Sequence, residues 1–265
     1  MIRTFPTSRA KWLSLATVVV TGLLAGNKAA TASMLIGVNA NGPTNGQWLS
    51  DLTLFAPYIN GTNQGGASTG NSISENGLSI TGNATTNQGS STGSTIATTY
   101  TTDGATTNIL QTNRYSDSSS GHNFIDYTAS GLTPGATYQV NLDFAELYYS
   151  VTGDREFGVT INGTPVLGGA SAGTGGGTFD VNATAESSYG TGAGGKNQGF
   201  TESFNVVANG SGQLQIDFLS GLKNNPIINA FSIDSVAVPE PASLGLLGTG
   251  VLALGLLNRR QKVSA

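Results

Sequence analysis

The sequence has no cysteine and only one histidine among its 265 residues. Without cysteine the chain forms no disulfide bond and carries no thiolate nucleophile. The single histidine, His122, excludes metal sites built from several histidines and leaves a histidine-dependent catalytic triad without support. We therefore predict neither a cofactor nor a resident metal ion.

Charged side chains are also scarce, at 10% of residues, whereas glycine occurs 38 times. This composition favours a loop-rich all-β chain over a helical one. Four of the 11 Lys and Arg residues lie between Ser33 and Val238, together with 14 of the 15 Asp and Glu residues, which gives this part a formal charge of −10. This balance argues against nucleic acid as a partner, because binding phosphates requires basic residues. The negative charge of this part also repels anionic lipid and anionic polysaccharide unless cations lie between them.

The first 32 residues have the pattern of a secretory signal peptide. Three basic residues lie within the first 11 positions, an apolar stretch runs from Trp12 to Ala25, and Ala30-Thr31-Ala32 offers small residues for cleavage before Ser33. We predict residues 1–32 as a signal peptide, which implies export.

Residues 238–265 have a second targeting pattern. The motif Pro239-Glu240-Pro241 precedes an apolar run from Ala242 to Leu257, and the basic residues Arg259 and Arg260 follow that run. The run is near the short limit for a membrane-spanning helix, and a basic cluster after it favours retention on the inner side of the membrane.

This three-part segment resembles the PEP-CTERM sorting signal of Gram-negative bacteria. The resemblance implies that an exosortase recognises Pro239, Glu240 and Pro241, after export by the secretion machinery and before delivery to the cell surface or extracellular matrix. A plain C-terminal membrane anchor is the alternative.

Two stretches in the middle of the chain alternate between apolar and polar residues. The alternation runs from Tyr138 to Ala145 and again from Glu156 to Ile161, and it predicts two strands with one buried face each. The pair Asn162-Gly163 supplies the turn after the second strand. Between the strands, Glu146–Tyr149 places two aromatic residues in a loop.

Similar short strands with turn signals recur along residues 33–237, and helical periodicity is almost absent. Residues 59–107 are rich in Gly, Ser, Thr and Asn and predict long loops and edge strands, with weak strands at Ser79–Thr81 and Thr95–Tyr100. The predicted fold class is all-β, a two-sheet antiparallel β-sandwich between a signal peptide and a short C-terminal transmembrane helix. Its predicted core contains Leu142, Phe144, Phe157, Val159, Ile161, Phe204, Val206, Leu214, Ile216, Phe218, Phe231 and Ile233.

Five motifs, in order along the chain, resemble the malectin-type carbohydrate-binding domain. They are GVNANG at Gly37–Gly42, LQTNRYS at Leu110–Ser116, FAELYY at Phe144–Tyr149, GDREFGVTING at Gly153–Gly163 and PIINAFSI at Pro226–Ile233. The resemblance extends from about Leu35 to Val236, apart from residues 56–108. It implies a jelly-roll-like sandwich that binds carbohydrate without catalysis, and a short strand at Phe179–Val181.

Sugars offer C–H faces that stack on aromatic rings and hydroxyls that need planar polar partners. The resemblance implies that Tyr115, Tyr148, Tyr149 and Asn224 contact the sugar, and that the ligand is a neutral glycan or exopolysaccharide. Tyr149 and Asn224 stand where the animal proteins have Phe and Asp. The alternative for the tyrosines is that they pack beneath loops.

Two other functions are compatible with the sequence, a structural matrix protein without a specific ligand and a glycoside hydrolase. The hydrolase would need two carboxylates, and the cluster that offers them is Asp143, Glu146, Asp154 and Glu156. We expect Asp143 to lie on the outer face of its strand, where a carboxylate is ordinarily solvated.

Two further sets of residues leave alternatives open. Trp48 either seals the core or lines a sugar site. Asp51, Asp217 and Asp234 are candidate oxygen ligands for calcium, with plain surface carboxylates as the alternative.

Overall fold

The strands that the alternation predicts are present in the computed structural model. It describes residues 32–55, 58–59, 62–63, 71–84, 88–92, 96, 98–116, 124–169, 177–189 and 195–236. Residues 33–236 make up one compact unit. The predicted signal peptide, the predicted sorting segment and His122 lie outside the described residues. Within those residues, no helix combines the length and apolar character that a membrane crossing needs.

Short strands dominate the described chain, with two helices among them. The elements are β1 (Ser33–Asn39), β2 (Trp48–Ser50), β3 (Tyr58–Ile59), β4 (Thr62–Asn63), β5 (Ser72–Glu75), β6 (Leu78–Ala84), β7 (Gln88–Thr92), β8 (Thr98–Tyr100), α1 (Thr107–Leu110), β9 (Thr112–Ser116), β10 (Phe124–Ser130), β11 (Thr137–Ala145), β12 (Glu156–Ile161), β13 (Thr164–Leu167), α2 (Val181–Tyr189), β14 (Gln198–Val207), β15 (Gln213–Lys223), β16 (Ile227–Ile228) and β17 (Ala230–Ser235).

Two main sheets pack face to face and confirm the predicted β-sandwich. In the described residues the first sheet has the order β2-β1-β17-β11-β14-β8 and the second β13-β12-β15-β10-β6-β5. Pairing is antiparallel except at the two edges of the first sheet, where β1–β2 and β14–β8 are parallel. A third, smaller sheet has the order β16-β9-β7.

The core lies between the two main sheets and is formed by the predicted faces. In β11, Leu142 and Phe144 are fully buried, and Leu142 pairs with Phe231 of β17. The ring of Phe144 lies 6.0 Å from the ring of Phe157 in the opposite sheet. Of the predicted core residues, Phe204 and Val206 are only half-buried and pack against the others, which are buried.

The predicted turn after β12 closes a hairpin with β13. Asn162 and Gly163 have φ angles of 51° and 75°. Two consecutive residues in the left-handed conformation match the twist of the flanking strands. The pair Asn-Gly adopts this conformation with little strain.

Three local expectations were wrong. β6 is an interior strand, paired with both β5 and β10, although its stretch was predicted as loops and edge strands. The predicted strand at Phe179–Val181 contributes only a bridge from Phe179 to Phe157, and α2 begins at Val181. Asp143 lies on the outer face of β11 as expected, yet it is fully buried because residues 101–110 cover that face.

A buried ion pair connects the segment after β2 to β9. Arg114 donates to Asp51 from Nε and Nη2 at 2.7 Å each, and the Tyr127 hydroxyl donates to the same carboxylate at 2.7 Å. The guanidinium also lies 3.9 Å from the ring centre of Phe55. With Asp51 fully buried, these contacts replace its lost hydration.

Candidate functional site

The aromatic loop that the sequence indicates lies between β11 and β12. We call residues 146–155 the tyrosine loop. Tyr148 is 68% exposed, one of the most exposed large side chains of the described chain, and Tyr149 is half-buried. Their rings meet edge to face, with 4.9 Å between centres and an interplanar angle of 84°. Each ring restricts the rotation of the other, so the pair is presented in a defined orientation.

The carboxylate of Glu146 holds the backbone of this loop. Its Oε1 accepts the backbone N–H of Tyr148 at 2.9 Å and that of Tyr149 at 3.0 Å. Its Oε2 accepts the Nε–H of Arg155 at 2.6 Å. Because Glu146 is fully buried and both of its oxygens are engaged, it acts as an internal anchor for the turn.

Arg155 joins the tyrosine loop to the segment before β16. Its Nη1 donates to the carbonyl oxygen of Asn225 at 2.6 Å, and its guanidinium lies 4.9 Å from the ring centre of Tyr149. The negative face of an aromatic ring attracts a guanidinium that lies above it. The sequence offered little to indicate this role, because Arg155 and Asn225 are 70 residues apart.

Asn224 meets Tyr149 directly, as the predicted site requires. Its Oδ1 accepts the Tyr149 hydroxyl at 2.8 Å, and its Nδ2 donates to the backbone carbonyl of Asp154. Partial desolvation raises the pKa of Tyr149, so the hydroxyl keeps the proton that it donates. Asn224 also has a left-handed φ of 59°, which asparagine tolerates better than most residues. An aspartate here could accept the Tyr149 bond but could not donate to Asp154, which is a local reason for the amide.

Tyr115 occupies a different setting from the other three predicted residues. It lies in β9 and pairs with Ile227 of β16, three residues after Asn224. The side chain is half-buried and packs against the main core. The structure therefore brings Tyr148, Tyr149 and Asn224 together and places Tyr115 on the strand next to the Asn224 segment.

Helix α2, absent from the sequence prediction, supports the tyrosine loop from behind. Asn182 donates to the carbonyl oxygens of Tyr149 at 3.3 Å and Val151 at 3.2 Å. Asp180 caps the helix, since its Oδ1 accepts the N–H of Asn182 at 2.9 Å, while its Oδ2 accepts the N–H of Gly153. An Asp before a polar nine-residue stretch is a capping signal that could have revealed the helix.

Basic side chains are concentrated near the tyrosine loop despite the acidic character of the domain. Lys196 donates from Nζ to the carbonyl oxygen of Tyr148 at 2.9 Å, and Lys223 Nζ lies beside Gly153. Arg155 is the third cation, and the fourth between Ser33 and Val238 is the buried Arg114. Three of the four basic side chains between Ser33 and Val238 therefore lie at or beside the tyrosine loop.

The three carboxylates considered for calcium do not converge. Asp51 binds Arg114 inside the core, whereas Asp217 accepts the Thr160 hydroxyl on the second sheet and Asp234 lies in β17 of the first. Among the described residues, no group of three or more acidic or histidine side chains could hold a metal ion.

Trp48 belongs to a second apolar cluster, between the first sheet and the segment that covers it. The side chain is only 6% exposed and shares this cluster with Leu147. Of the two readings of Trp48, the structure supports the one in which it seals the core.

Two family models match this chain. One, for the malectin domain, matches residues 58–231, which includes the stretch up to 108 where no motif was recognised. The other, for the PEP-CTERM protein-sorting motif, matches residues 237–260. A search of curated proteins finds no match.

Solved structures with a similar fold come from plant receptors. The ANXUR2 extracellular domain from Arabidopsis thaliana is 12% identical with a TM-score of 0.50, over 80% of this chain and 52% of that one. The ANXUR1 extracellular domain from the same plant is 12% identical with a TM-score of 0.49, over the same shares. This chain thus matches about half the length of these structures. At 12% identity, the likeness to the ANXUR2 domain shows the fold alone.

Proposed function

This chain belongs to the malectin domain family, and from that premise we propose that its β-sandwich binds a neutral glycan without catalysis. Tyr148, Tyr149, Tyr115 and Asn224 would form the site. The PEP-CTERM motif indicates export and sorting to the cell surface in Gram-negative bacteria. Among glycans at that location, we favour exopolysaccharide as the ligand.

The observation that carries the proposal is the exposed Tyr148 ring on a buried, ion-paired anchor. An exposed aromatic ring that is held in a fixed orientation offers a face on which the C–H groups of a sugar can stack. Glu146 and Arg155 hold the loop before any ligand arrives, so little ordering entropy is lost on binding.

The polar groups beside the rings favour an uncharged ligand. The Arg155 guanidinium already serves Glu146 and Asn225, and the Tyr149 hydroxyl already donates to Asn224. The aromatic surface and the acceptor capacity of Tyr149 and Asn224 suit the hydroxyl donors of a sugar.

Burial argues against the glycoside hydrolase alternative. Asp143 and Glu146 are both fully enclosed, and Glu146 is committed to Arg155 and two backbone N–H groups. A catalytic carboxylate must reach the glycosidic oxygen or the anomeric carbon, which an enclosed side chain cannot do. The remaining pair, Asp154 and Glu156, lies at the end of the loop, where Glu156 is opposite Lys223 in the register of β12 and β15.

We predict that Tyr148→Ala and Tyr115→Ala each weaken glycan binding about 5-fold, since a stacked ring contributes about 1 kcal/mol. The wild-type dissociation constant for a short oligosaccharide is expected to lie between about 10 μM and about 1 mM. Isothermal calorimetry with neutral gluco-oligosaccharides measures both quantities. Tyr149→Phe isolates the hydroxyl bond to Asn224 and should cost less than removal of a ring.

Val207→Ala provides the matched control. Val207 is 54% exposed at the far end of β14, where it pairs with Thr137, so the variant loses exposed apolar surface away from the tyrosine loop. Its affinity should equal that of the wild type. Equal affinity in all variants would mean that the glycan does not lie on these tyrosines. No binding to any neutral or uronic acid glycan would favour a structural matrix protein instead. Tighter binding of uronic acid oligosaccharides would contradict a neutral ligand.

We further propose that the mature protein lacks both ends, through removal of residues 1–32 and exosortase cleavage at the Pro239-Glu240-Pro241 motif. The PEP-CTERM match over residues 237–260 supports the second step. Intact-mass spectrometry of the protein from its native host is expected to find neither Met1 nor Arg260. A secreted species that retains Arg259 and Arg260 would contradict exosortase cleavage and favour a plain anchor.

A further inference from the structure

A short segment covers the outer face of the strand that leads into the tyrosine loop. We call Thr101–Leu110 the cover segment. Its buried apolar residues Ala105, Ile109 and Leu110 form one cluster with Ala145 and Leu147, which continue the outer face of β11. The N–H of Thr102 donates to Thr201 Oγ1, and the Thr201 hydroxyl donates to Asp143. Through these contacts the cover segment brings the carboxyl group of Asp103 close to that of Asp143.

Two hydroxyl groups and one backbone N–H donate to three of the four oxygen atoms of these two carboxyl groups. Asp143 Oδ1 accepts the Thr201 hydroxyl at 2.6 Å. Asp103 Oδ2 accepts the Ser232 hydroxyl at 2.7 Å, and its Oδ1 accepts the N–H of Ala105 at 3.2 Å. Asp143 Oδ2 is enclosed and has no hydrogen-bond partner among the described residues. Burying a charged carboxylate oxygen without a hydrogen-bond donor is unfavourable in free energy. Because Asp143 is fully buried, protonation of this oxygen is favoured.

The surroundings of Asp143 are acidic on two sides. Asp103 faces it from the cover segment and Asp234 from β17, while β14 contributes the hydroxyl of Thr201. Within the described residues, none of these three carboxyl groups has an ion-pair partner. Burial, and then the charge of Asp103, raise the pKa of Asp143 well above its ordinary range. Two carboxyl groups in such contact cannot both ionise without strong repulsion.

We propose that a single proton shared between Asp103 and Asp143 latches the cover segment onto the first sheet, and that loss of this proton releases it. The O–H of Asp143 supplies the donor that Asp103 accepts, which accounts for the otherwise unpartnered oxygen. A folded-state pKa above the unfolded value means that the closed state is favoured at low pH, and that this stabilisation is lost as the pH rises through the folded pKa.

Release of the cover segment would also affect the tyrosine loop. Leu147 immediately precedes Tyr148 and packs in the same apolar cluster as Ile109 and Leu110. Opening removes that packing, so glycan affinity should fall over the same pH range. This consequence rests on the proposed glycan function, whereas the latch itself does not.

Hydrogen exchange without glycan tests the latch through two amides. The N–H of Thr102 donates to Thr201 Oγ1 at 3.2 Å, and that of Ala105 donates to Asp103 Oδ1. After correction for intrinsic rates, we expect both to exchange about 10-fold faster at about pH 8.5 than at about pH 5 in the wild type. In Asp143→Asn, an amide that cannot ionise takes the place of the protonated carboxyl, and the step should disappear.

Asp126→Asn is the control for a general effect of pH. Asp126 lies on β10 of the other sheet, where burial and then the neighbouring Asp217 raise its pKa to about 6. This variant should keep the pH step at Thr102 and Ala105, and loss of the step would mean global unfolding rather than a latch. If Asp143→Asn does not fold, Asp103→Asn, in the partly exposed half of the pair, should abolish the step instead. A corrected wild-type rate that is independent of pH, or an unchanged step in the folded Asn variant, overturns the proposal.

Discussion

Asp51→Ala is expected to lower the free energy of unfolding by about 3 to 5 kcal/mol, because it removes the carboxylate that pairs with the buried Arg114 guanidinium. The carboxylate accepts both Arg114 bonds, the Tyr127 hydroxyl, and the N–H of Asn41 at 2.6 Å. All four donors lose their acceptor together. Urea denaturation followed by tryptophan fluorescence measures the change, and a loss of this size is a large part of the stability of an ordinary domain.

The double variant Asp51→Ala/Arg114→Met tests the cause. Replacing the guanidinium with an apolar side chain removes the buried charge that Asp51 balances, so the double variant should be more stable than Asp51→Ala alone. A double variant less stable than the single one, or a loss below about 1 kcal/mol in the single one, would contradict the importance of the buried charge.

The second large effect is expected from Glu146→Gln, in the anchor of the tyrosine loop. Glutamine retains an oxygen for the N–H groups of Tyr148 and Tyr149, but its amide turns a donor toward Arg155, which keeps its charge. We expect a loss of about 3 kcal/mol in the free energy of unfolding and at least 10-fold weaker glycan binding. Urea denaturation and calorimetry measure the two separately.

Glu156→Gln is the matched control for this prediction, because the same chemical change occurs at the end of the same loop. Glu156 is half-buried and has no ion pair within the described residues. The free energy of unfolding of Glu156→Gln should therefore differ from that of the wild type by less than about 0.5 kcal/mol. If Glu146→Gln loses stability while binding is unchanged, the ligand does not lie on the tyrosine loop. If both quantities are unchanged, the anchor is not needed at all.

The two buried ion pairs, Asp51–Arg114 and Glu146–Arg155, differ in their sequence separation and in the part of the candidate site that each stabilises. The Asp51–Arg114 pair joins residues 63 positions apart and stabilises β9, which carries Tyr115. The Glu146–Arg155 pair spans only nine positions and shapes the loop that carries Tyr148 and Tyr149. A glycan that contacts both regions would therefore depend on two separate buried ion pairs.

Much of the fold could be predicted because its signals are local. The alternation in β11 and β12, and the Asn162-Gly163 turn, depend on residues next to one another, and the structure confirms all three. The resemblance to the malectin family rested on short motifs of the same kind, and the family match confirms it. β6 was predicted as part of loops and edge strands because residues 59–107 are rich in Gly, Ser, Thr and Asn and give a weak pattern, although β6 pairs on both sides.

By itself, the sequence determined the all-β class, the inner faces of the strands and the presence of two tyrosines in a loop, since a two-residue period reveals which side of a strand is apolar. It did not determine what covers the outer face. Only the tertiary structure placed Asp143 beneath the cover segment, Arg155 against Asn225, and α2 behind the tyrosine loop. The physical reason is that a polar side chain looks the same in a sequence whether water or a distant part of the chain supplies its hydrogen-bond partners.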